Sequence, residues 1–466
     1  MIDQVIGGGY CIGCGACKAF APESFEMVMS DLGCWQARRI SIGGKADAVC
    51  PMTGVGADET QIAGQRFNSL PDHPEIGRYR ACGVGWVADD ESRLRGSSGG
   101  LITWLAERLL DQGLVDAFVH VRPASDAGIK GAPLFRFQIS RSVEELRSGS
   151  KSHYYPVEMS EVLEEIKRVP GRYAIAAIPC FAKAVRLLAR QDPDLSERVQ
   201  FVVGLVCGHL KSRFFAELLG WQVGAAPDRL NGFDFRYKLP GQPASRYGFE
   251  ARWLGDDGHP QVARAAMAEV LGGNWGLGFF KYEACDYCDD VLAECADVAI
   301  GDAWLPGYAD DYRGTNVFVV RDPALHQLIE AGNAGGQLEL ESVGPELVAK
   351  SQAGGLRHRR EGLAYRLALK DAAGKWRPRK RVPASLDVNK KRKRIYDHRT
   401  SLMHESKALF RLARERGDIL VFKNGIASEV ERYLTAYRSA QTAPLPVRAV
   451  RRAARIARRI LGRVVG

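Results

Sequence analysis

Eight of the eleven cysteines in this chain fall into two groups of four, and thiolates grouped in this way bind metals. The first group is Cys11-x2-Cys14-x2-Cys17, completed by Cys50 in a Cys-Pro pair. Thiolates at i, i+3 and i+6 wrap one loop around a cubane iron–sulfur cluster, which then needs one ligand from elsewhere. The spacing therefore predicts a [4Fe–4S] cluster on Cys11, Cys14, Cys17 and Cys50. A structural zinc ion is the alternative, because four thiolates also suit zinc.

The first group is typical of half of a two-cluster ferredoxin. In such ferredoxins the run C-x2-C-x2-C-x3-C-P ends in a cysteine that ligates the other cluster. Here Ala21 stands at that position, before Pro22, and no second C-x2-C-x2-C run follows. We therefore expect a single cluster in this segment.

The second group of cysteines is scattered along the chain. Cys180 and Cys207 each end an apolar strand-like run, and Cys285-x2-Cys288 follows an aromatic stretch. The carboxyl ends of strands in an α/β sheet face the ligand crevice, so both single thiols are expected in one cleft with the pair. The alternative is that Cys180 and Cys207 are small buried apolar residues. Three cysteines match no ligand position and are predicted to be structural: Cys34, Cys82 and Cys295.

Two glycine-rich segments are candidate anion sites. Arg95-Gly96-Ser97-Ser98-Gly99-Gly100 opens an apolar helix, where free backbone N–H groups and the helix dipole favour a phosphate. A serine that only caps the helix is the alternative. Gly149-Ser150-Lys151 is the second candidate, and on its own it also suits a turn with a solvated lysine.

The elements that must position these residues alternate between strand-like and helix-like stretches, which is typical of an α/β (mixed α+β) fold. The predicted strands are Ala117–Val121, Tyr173–Ile178, Gln200–Val206, Ala296–Ile300 and Asn316–Val320, and the predicted helices include Phe181–Arg190 and Ser212–Leu219. Four parts are expected: a ferredoxin-like cluster segment (1–60), a central α/β domain (81–340), a helix-rich basic region (345–440) and a basic amphipathic helix (445–466).

Composition limits the class of protein. The 466 residues carry a net charge of +10, and residues 440–466 contain seven arginines and no acidic residue. Their arginines and apolar residues separate onto two sides of a helix, which favours an anionic membrane surface or a partner groove over nucleic acid, because no aromatic platform accompanies the charge. A solvated tail is the plain alternative. No apolar run is long enough to span a bilayer and no secretory signal is visible, so a cytoplasmic protein is expected, peripheral at most at the inner face of the membrane.

Several motifs in order resemble the β-subunit family of deazaflavin-coenzyme (coenzyme F420) hydrogenases and dehydrogenases, which also includes plant 7-hydroxymethyl chlorophyll reductase. They span roughly residues 8–325 and read YCIGCGACKAF, VCPMTG, RGSSGGLITWLAERLLDQGLVDAFVHV, GSKSHYYPVEM, IPCFAKAVRLL, LVCGHLKSRFF, KYEACDYCDD, ADVAIGDAW and GTNVFVV. The resemblance implies a non-covalent FAD, one or two [4Fe–4S] clusters, and two-electron exchange with an organic substrate or a deazaflavin coenzyme.

The resemblance also assigns roles to individual residues. The inner cluster would be held by Cys180, Cys207, Cys285 and Cys288. The FAD-binding residues would be Arg95, Ser97, Ser98, Gly99, Gly100, Gly149, Ser150, Lys151, Asp302, Thr315 and Asn316. His209, Lys211 and Lys183 are candidate proton donors or anion holders; a core histidine is the alternative for His209. An anionic coenzyme tail would be held by Lys151, Lys183, Arg186 or Lys211.

Two functions of different classes follow from these expectations. The favoured one is an FAD- and iron–sulfur-dependent oxidoreductase with its own small organic substrate, which exchanges electrons with a redox partner protein such as a ferredoxin. The alternative is an electron-transfer subunit that serves a separate catalytic partner and has no substrate of its own. A weaker alternative keeps the fold without a redox role, with zinc or no metal on the cysteines.

Overall fold

A mixed eight-stranded sheet lies at the centre of the computed structural model, which describes residues 1–129 and 131–441. The strands of the chain are β1 (Phe25–Met29), β2 (Trp35–Arg39), β3 (Asp72–His73), β4 (Gly77–Arg78), β5 (Ala81–Val87), β6 (Ala117–Pro123), β7 (Phe135–Ser140), β8 (Tyr173–Ala177), β9 (Val199–Leu205), β10 (Leu230–Tyr237), β11 (Gly248–Leu254), β12 (Pro260–Ala266), β13 (Val298–Asp302), β14 (Asn316–Val320) and β15 (Leu338–Ser342). The central sheet has the order β15-β5-β14-β13-β9-β8-β6-β7.

The middle of this sheet is parallel. Strand β8 pairs in parallel with β6 and β9, and β9 pairs in parallel with β13, whereas β5, β7, β14 and β15 pair antiparallel. All five residues of β8 are buried, which agrees with the near-continuous apolar sequence of a strand covered on both faces. The carboxyl ends of β8 and β9 are therefore neighbours. The predicted α/β fold is confirmed.

The helices flank the sheet and dominate the described residues after 345. They are α1 (Ile2–Gly7), α2 (Ala16–Phe20), α3 (Glu59–Arg66), α4 (Asp90–Arg95), α5 (Leu101–Asp111), α6 (Val143–Arg147), α7 (Ser160–Arg168), α8 (Pro179–Ala189), α9 (Pro193–Arg198), α10 (Phe214–Trp221), α11 (Pro323–Ala334), α12 (Pro345–Ser351), α13 (Ala353–Arg359), α14 (Glu361–Ala372), α15 (Lys390–Arg416) and α16 (Ile419–Gln441). Helix α8 begins two residues earlier than predicted, because Pro179 is well suited to the first helical position.

The N-terminal segment packs on α7 and α8, two helices that flank the central sheet. Ile12 of the cysteine loop, Ala16 of α2 and Phe25 of β1 belong to the same apolar core as Phe181 and Leu188 of α8. The first four cysteines thus lie beside the helix that follows β8.

The C-terminal region packs on a second core. Helices α15 and α16 bring Phe410 and Phe422 against Phe280, next to an antiparallel sheet of β10, β11 and β12 that the sequence did not predict. Among the described helices, none combines the length and apolar content needed to cross a bilayer. The amphipathic helix predicted for residues 445–466 lies outside the described residues.

Candidate functional site

Cys11, Cys14, Cys17 and Cys50 surround one small cavity, which is otherwise lined mainly by apolar side chains. Gly13 and Gly15 turn the loop between the first three cysteines with positive φ angles of 69° and 83°. The amides of Gly13 and Ala37 both donate hydrogen bonds to Cys11 Sγ at 3.4 Å, and such bonds stabilise thiolate ligands.

Cys180, Cys207, Cys285 and Cys288 surround a second cavity. Cys180 lies in the first turn of α8, Cys207 follows β9, and Cys285 and Cys288 belong to a short helical turn and the residue after it. The Leu210 amide donates to Cys285 Sγ at 3.2 Å. The parallel pairing of β8 and β9 is what brings Cys180 and Cys207 together from positions far apart in the chain.

Both cavities hold thiols that are unfavourable as isolated thiolates. Burial raises the pKa of Cys50 and of Cys285 to about 12. A thiolate at these positions needs a bound cation to compensate its charge, and metal binding releases the proton. Among the described residues, no three His, Cys, Asp or Glu side chains converge closely enough to hold one metal ion. Four thiols around one cavity are a donor set that suits a cubane cluster and also suits zinc.

A buried guanidinium that the sequence analysis missed adjoins the second cavity. Arg359 of α13 donates to the carbonyl oxygens of Cys207 (2.6 Å), Gly208 (2.8 Å) and Asp290 (2.9 Å). Its Nε is buried without a hydrogen-bond partner in the described part of the chain, and the side chain lines the cavity. Burial alone would lower the pKa of Arg359, but the Cys288, Cys207 and Cys285 thiolates outweigh burial and raise it. An available donor and a positive charge suit an anionic thiolate-bound cluster.

The two cysteine cavities share a wall. Ile12, which lies between Cys11 and Cys14, lines both of them. Cys180 and Cys14 are close enough for the Cys14 charge to contribute to the raised pKa of Cys180, which burial dominates. The first and second cysteine groups therefore adjoin one another.

A larger cleft of about 250 Å³ lies at the carboxyl ends of the parallel strands. Cys207 and Leu210 line both this cleft and the second cysteine cavity. The predicted cofactor or catalytic residues that line the cleft are Ser97, Ser98, Gly100, Gly149, Ser150, Lys151, His209, Lys211, Asp302 and Asn316.

Hydrogen bonds join the two glycine-rich segments at this cleft. The Ser152 amide donates to Ser97 Oγ (2.7 Å), and Ser98 Oγ donates to the Thr315 carbonyl (3.0 Å). Asn316 Oδ1 accepts from the Leu101 amide (3.1 Å) at the start of α5. The serine-cap alternative is therefore wrong, because an asparagine from β14 caps this amide.

Lys238 fixes the same loops and has no local sequence signal. Its Nζ donates to the carbonyl oxygens of Arg93 (2.5 Å), Ser98 (3.0 Å) and Arg313 (2.5 Å). Three carbonyl acceptors hold the ammonium group where the loops meet, so Lys238 is a positioning residue for the cleft wall.

Several predicted residues lie elsewhere or have other partners. Arg95 bonds Glu91 (2.6 Å) and Ser92 (2.7 Å) on its own helix, and it does not line the cleft. Lys183 is buried against Glu59 at 3.1 Å, also away from the cleft. Each charge is paired with a carboxylate, and the positions of Arg95 and Lys183 do not support the roles predicted for them at the cleft.

Gly99 and Thr315 support the cleft rather than line it. A Cβ at Gly99 would lie 2.7 Å from the Gly85 carbonyl oxygen, so the backbone there is tightly enclosed. The Thr315 carbonyl accepts the Ser98 hydroxyl. Neither residue lines the cavity, and a contact between their backbone and a cofactor stays a prediction.

Other predicted residues line the cleft but are already paired. Lys151 Nζ lies 3.1 Å from Asp234, and the Asp302 carboxylate receives two hydrogen bonds from Arg236 at 3.0 and 2.8 Å. Arg186 does not line this cleft, and it pairs with Asp297. These pairs leave little free charge on Lys151 and Arg186, which were expected to hold an anionic tail.

His209 and Lys211 form an aromatic, weakly charged wall with Trp275. The His209 ring stacks on Trp275 at 4.4 Å, and Lys211 Nζ lies 4.6 Å above that ring and donates to the Phe279 carbonyl at 2.7 Å. Burial, then the charge of Lys281, lowers the pKa of Lys211 well below its usual value. Burial likewise lowers the pKa of His209, which keeps the imidazole neutral.

Unpaired polar atoms remain at the cleft. His209 Nε2 and both ring nitrogens of His153 are buried without hydrogen-bond partners in the described part of the chain. His153 stacks on Phe135 at 4.1 Å, and burial lowers its pKa to about 4. An apolar and aromatic cleft with a few unsatisfied donors and acceptors suits a polar aromatic ligand such as a flavin.

Two models of one protein family match this sequence. Residues 82–164 match the family model of the coenzyme F420 hydrogenase/dehydrogenase beta subunit N-terminus, and residues 171–346 match that of its C terminus. No curated protein matches. A chain in a solved structure of the F420-reducing [NiFe] hydrogenase complex from Methanosarcina barkeri is similar, with 17% identity, a TM-score of 0.48, and coverage of 66% of this chain and 99% of that chain. The two family models together span more than half of the sequence, and the chain belongs to the coenzyme F420 hydrogenase/dehydrogenase β-subunit family.

Proposed function

We propose that this chain is an iron–sulfur flavoprotein oxidoreductase that relays electrons between two [4Fe–4S] clusters and FAD. Family membership implies a redox role, and the proposal specifies the cofactors. Cys11, Cys14, Cys17 and Cys50 would hold the first cluster, and the remaining four candidate ligands line the second cavity. The cleft at the carboxyl ends of the parallel strands would hold the FAD.

One observation carries the proposal: three cavities in a row share walls. Ile12 separates the first from the second, and Cys207 and Leu210 separate the second from the cleft. Bound in these cavities, FAD would convert two-electron chemistry of an organic substrate into single-electron exchange with the clusters. Because neighbouring cavities share walls, each electron transfer between the bound cofactors would be short and would need no movement of the chain.

The residues of the cleft have separate tasks in this proposal. The loop that begins at Ser97 and the Gly149–Lys151 turn would approach the phosphates and the ribityl chain with backbone N–H groups. The His209–Trp275 stack would exclude water from one side of the flavin. Lys211 Nζ and His209 Nε2 are polar atoms on this wall, and they would hold a proton beside the substrate.

We further propose that the chain acts on its own organic substrate or deazaflavin coenzyme. A second cleft of about 1000 Å³ adjoins the proposed FAD cleft. The two clefts share Tyr154, Cys207, His209, Trp275 and Asp302. Such a cleft gives a small molecule access to the flavin position. A redox partner protein would then supply or remove electrons at the first cluster, beside the N-terminal segment.

Different parts of the chain would carry these tasks. Residues 1–60 would carry the first cluster, and residues 81–340 would carry the FAD and all four cysteines of the second cluster. Residues 345–440 would line part of the second cleft and supply Arg359. This division assigns a task to the helix-rich region that the sequence alone left without one.

A reductive titration under anaerobic conditions tests the proposal. FAD accepts two electrons and each [4Fe–4S] cluster accepts one, so a low-potential reductant should deliver about four electrons per chain. Cys285→Ser should lower the capacity to about three, and Cys82→Ser should leave it at four. Uptake of fewer than two electrons by the purified wild-type protein would refute the proposal.

A further inference from the structure

The second cleft carries an excess of positive charge. Its walls include six cationic side chains and a single carboxylate, that of Asp302. The cations are Arg246, Lys281, Lys350, Arg357, Arg392 and Arg399. Because the Asp302 carboxylate is bound by Arg236, it does not neutralise the others.

Four of these cations form no ion pair in the described part of the chain, although the Glu361 carboxylate acts on Arg357 from a longer distance. Lys281 pairs with Asp286, and Arg392 pairs with Glu361 at 3.0 Å. In the part of the chain that the structure describes, no carboxylate lies within ion-pair distance of Arg246, Lys350, Arg357 or Arg399. Arg399 has only neutral acceptors, the Gly276 carbonyl (3.1 Å) and the Tyr433 hydroxyl (3.2 Å). Unpaired cations that converge on one cleft attract anions.

Aromatic side chains line the same cleft. Trp304 and Tyr437 are each 37% exposed, and Trp275 forms the wall shared with the flavin cleft. A ligand that satisfies this lining has a planar or apolar part near His209 and Trp275 and an anionic part among the arginines. Three of the four cations without an ion pair, Lys350, Arg357 and Arg399, lie beyond residue 346, where the match to the family model ends.

We propose that this cleft binds the anionic portion of the organic substrate, a phosphate or a cluster of carboxylates, through Arg246, Lys350, Arg357 and Arg399. The inference rests on the proposed function only for the position of the reacting part of the substrate. The anion site itself stands on the charges of the cleft. Its specificity comes from the C-terminal helical region, not from Lys151, Lys183, Arg186 or Lys211, because Lys151, Lys183 and Arg186 pair with carboxylates and Lys211 is buried against a carbonyl.

Binding of two simple anions tests the inference. Inorganic pyrophosphate and citrate are titrated calorimetrically into the full-length protein at low ionic strength. At least one of the two anions should bind with a dissociation constant below about 1 mM, as expected for a few charge-assisted contacts. Its binding should weaken with added salt. Tighter binding of pyrophosphate would indicate a phosphate group in the substrate, and tighter binding of citrate would indicate carboxylates.

Matched variants decide whether the cleft is responsible. The double variant Arg246→Gln/Arg357→Gln removes two exposed, unpaired guanidinium groups and should weaken binding about tenfold or more. Arg394→Gln removes an exposed charge from α15 outside the cleft and should change the affinity less than about twofold. Absence of binding by both anions, or unchanged affinity in the double variant, would overturn the inference.

Cofactor analysis of the same preparations separates the two proposals. Iron and FAD present without anion binding would remove the anion site and leave the proposed redox function. Anion binding that depends on Arg246 and Arg357 in a protein that cannot acquire iron or FAD would retain the anion site and remove the redox function.

Discussion

Replacement of Arg359 by methionine should selectively destabilise the second cluster site. The side chain is buried, and its three hydrogen bonds hold the carbonyl groups of Cys207, Gly208 and Asp290 in place. A hydrogen bond from a charged donor contributes about 1.5–3 kcal/mol, but such bonds are not additive within one network. Loss of one partner from a buried charged network costs about 3–5 kcal/mol. We expect a local cost of about 4 kcal/mol.

This cost falls on the segment that carries Cys207. Against a total stability of about 5–15 kcal/mol, the variant is expected to fold with a loosened second cavity. The measurement is iron and acid-labile sulfide per chain after anaerobic purification. Arg359→Met should retain about four irons, on Cys11, Cys14, Cys17 and Cys50, where the wild type retains about eight.

Two further variants separate charge from geometry. Arg359→Lys keeps the positive charge but cannot reach all three carbonyl groups, so its iron content should be intermediate. Arg360→Met changes the adjacent arginine, which donates one bond to the Pro74 carbonyl at 3.3 Å, and it should keep the wild-type content. Full iron content and unchanged thermal stability in Arg359→Met would refute the reasoning.

The remaining predictions concern the flavin cleft, pH and the spare cysteines. A Cβ at Gly149 would lie 2.6 Å from His120, so Gly149→Ala should weaken FAD binding about tenfold in equilibrium dialysis, whereas Gly43→Ala, in open space, should not. Burial raises the pKa of Glu217 to about 7, so the folded state binds its proton more tightly than the unfolded state. Its stabilising contribution is present below pH 4.5 and is lost as the pH rises through about 7, so the thermal midpoint of the wild type relative to Glu217→Gln should fall between pH 5 and 8. Cys295→Ala should keep about eight irons, because Cys295 packs in an apolar core.

Each of these has an outcome that would contradict it. Unchanged FAD affinity in Gly149→Ala would place the flavin elsewhere. A pH-independent difference between wild type and Glu217→Gln would show that this carboxyl does not titrate in the window. Loss of half of the iron in Cys295→Ala would make Cys295 a ligand.

The sequence predicts those parts of the site that depend on residues close together in the chain or at the ends of strands. The run from Cys11 to Cys17 forms one loop, so its cavity follows from residues three apart. Cys180 and Cys207 could be placed together because both end apolar runs, and parallel strands align their carboxyl ends. The residues from Ser97 to Gly100 and from Gly149 to Lys151 were found from glycine and serine content, and most of them line the cleft.

Other parts of the site depend on partners that no local pattern reveals. Arg359 contacts a carbonyl group 152 residues away in the chain, and Lys238 contacts one 140 residues away. Backbone carbonyl groups are present at every residue, so the sequence gives no sign of which one a charged side chain will meet. Lys183 likewise pairs with a distant residue, Glu59, which lies 124 positions away in the chain. Arg95 is different, because its partner Glu91 lies four residues earlier on the same helix, a spacing that the sequence does show.

The three-stranded sheet of β10, β11 and β12 was missed for a different reason. Strand β12, Pro260–Ala266, is largely exposed and contains little apolar alternation. Its pairing with β11 runs in register from Gly248 to Leu254, and tertiary packing on α10 and α15 decides the structure there. The second cleft borders this region. Its cationic lining could not be predicted from the sequence, because the packing of the C-terminal helices brings those side chains together.

The most direct test of the central claim is cofactor analysis of wild-type protein purified without oxygen. Iron, acid-labile sulfide and flavin are measured per chain together with the absorption spectrum. The account predicts about eight irons, about eight sulfides and one FAD per chain, from two cubane clusters and one flavin cleft. Zinc in place of iron, or a protein that cannot be loaded with either iron or flavin, would contradict it.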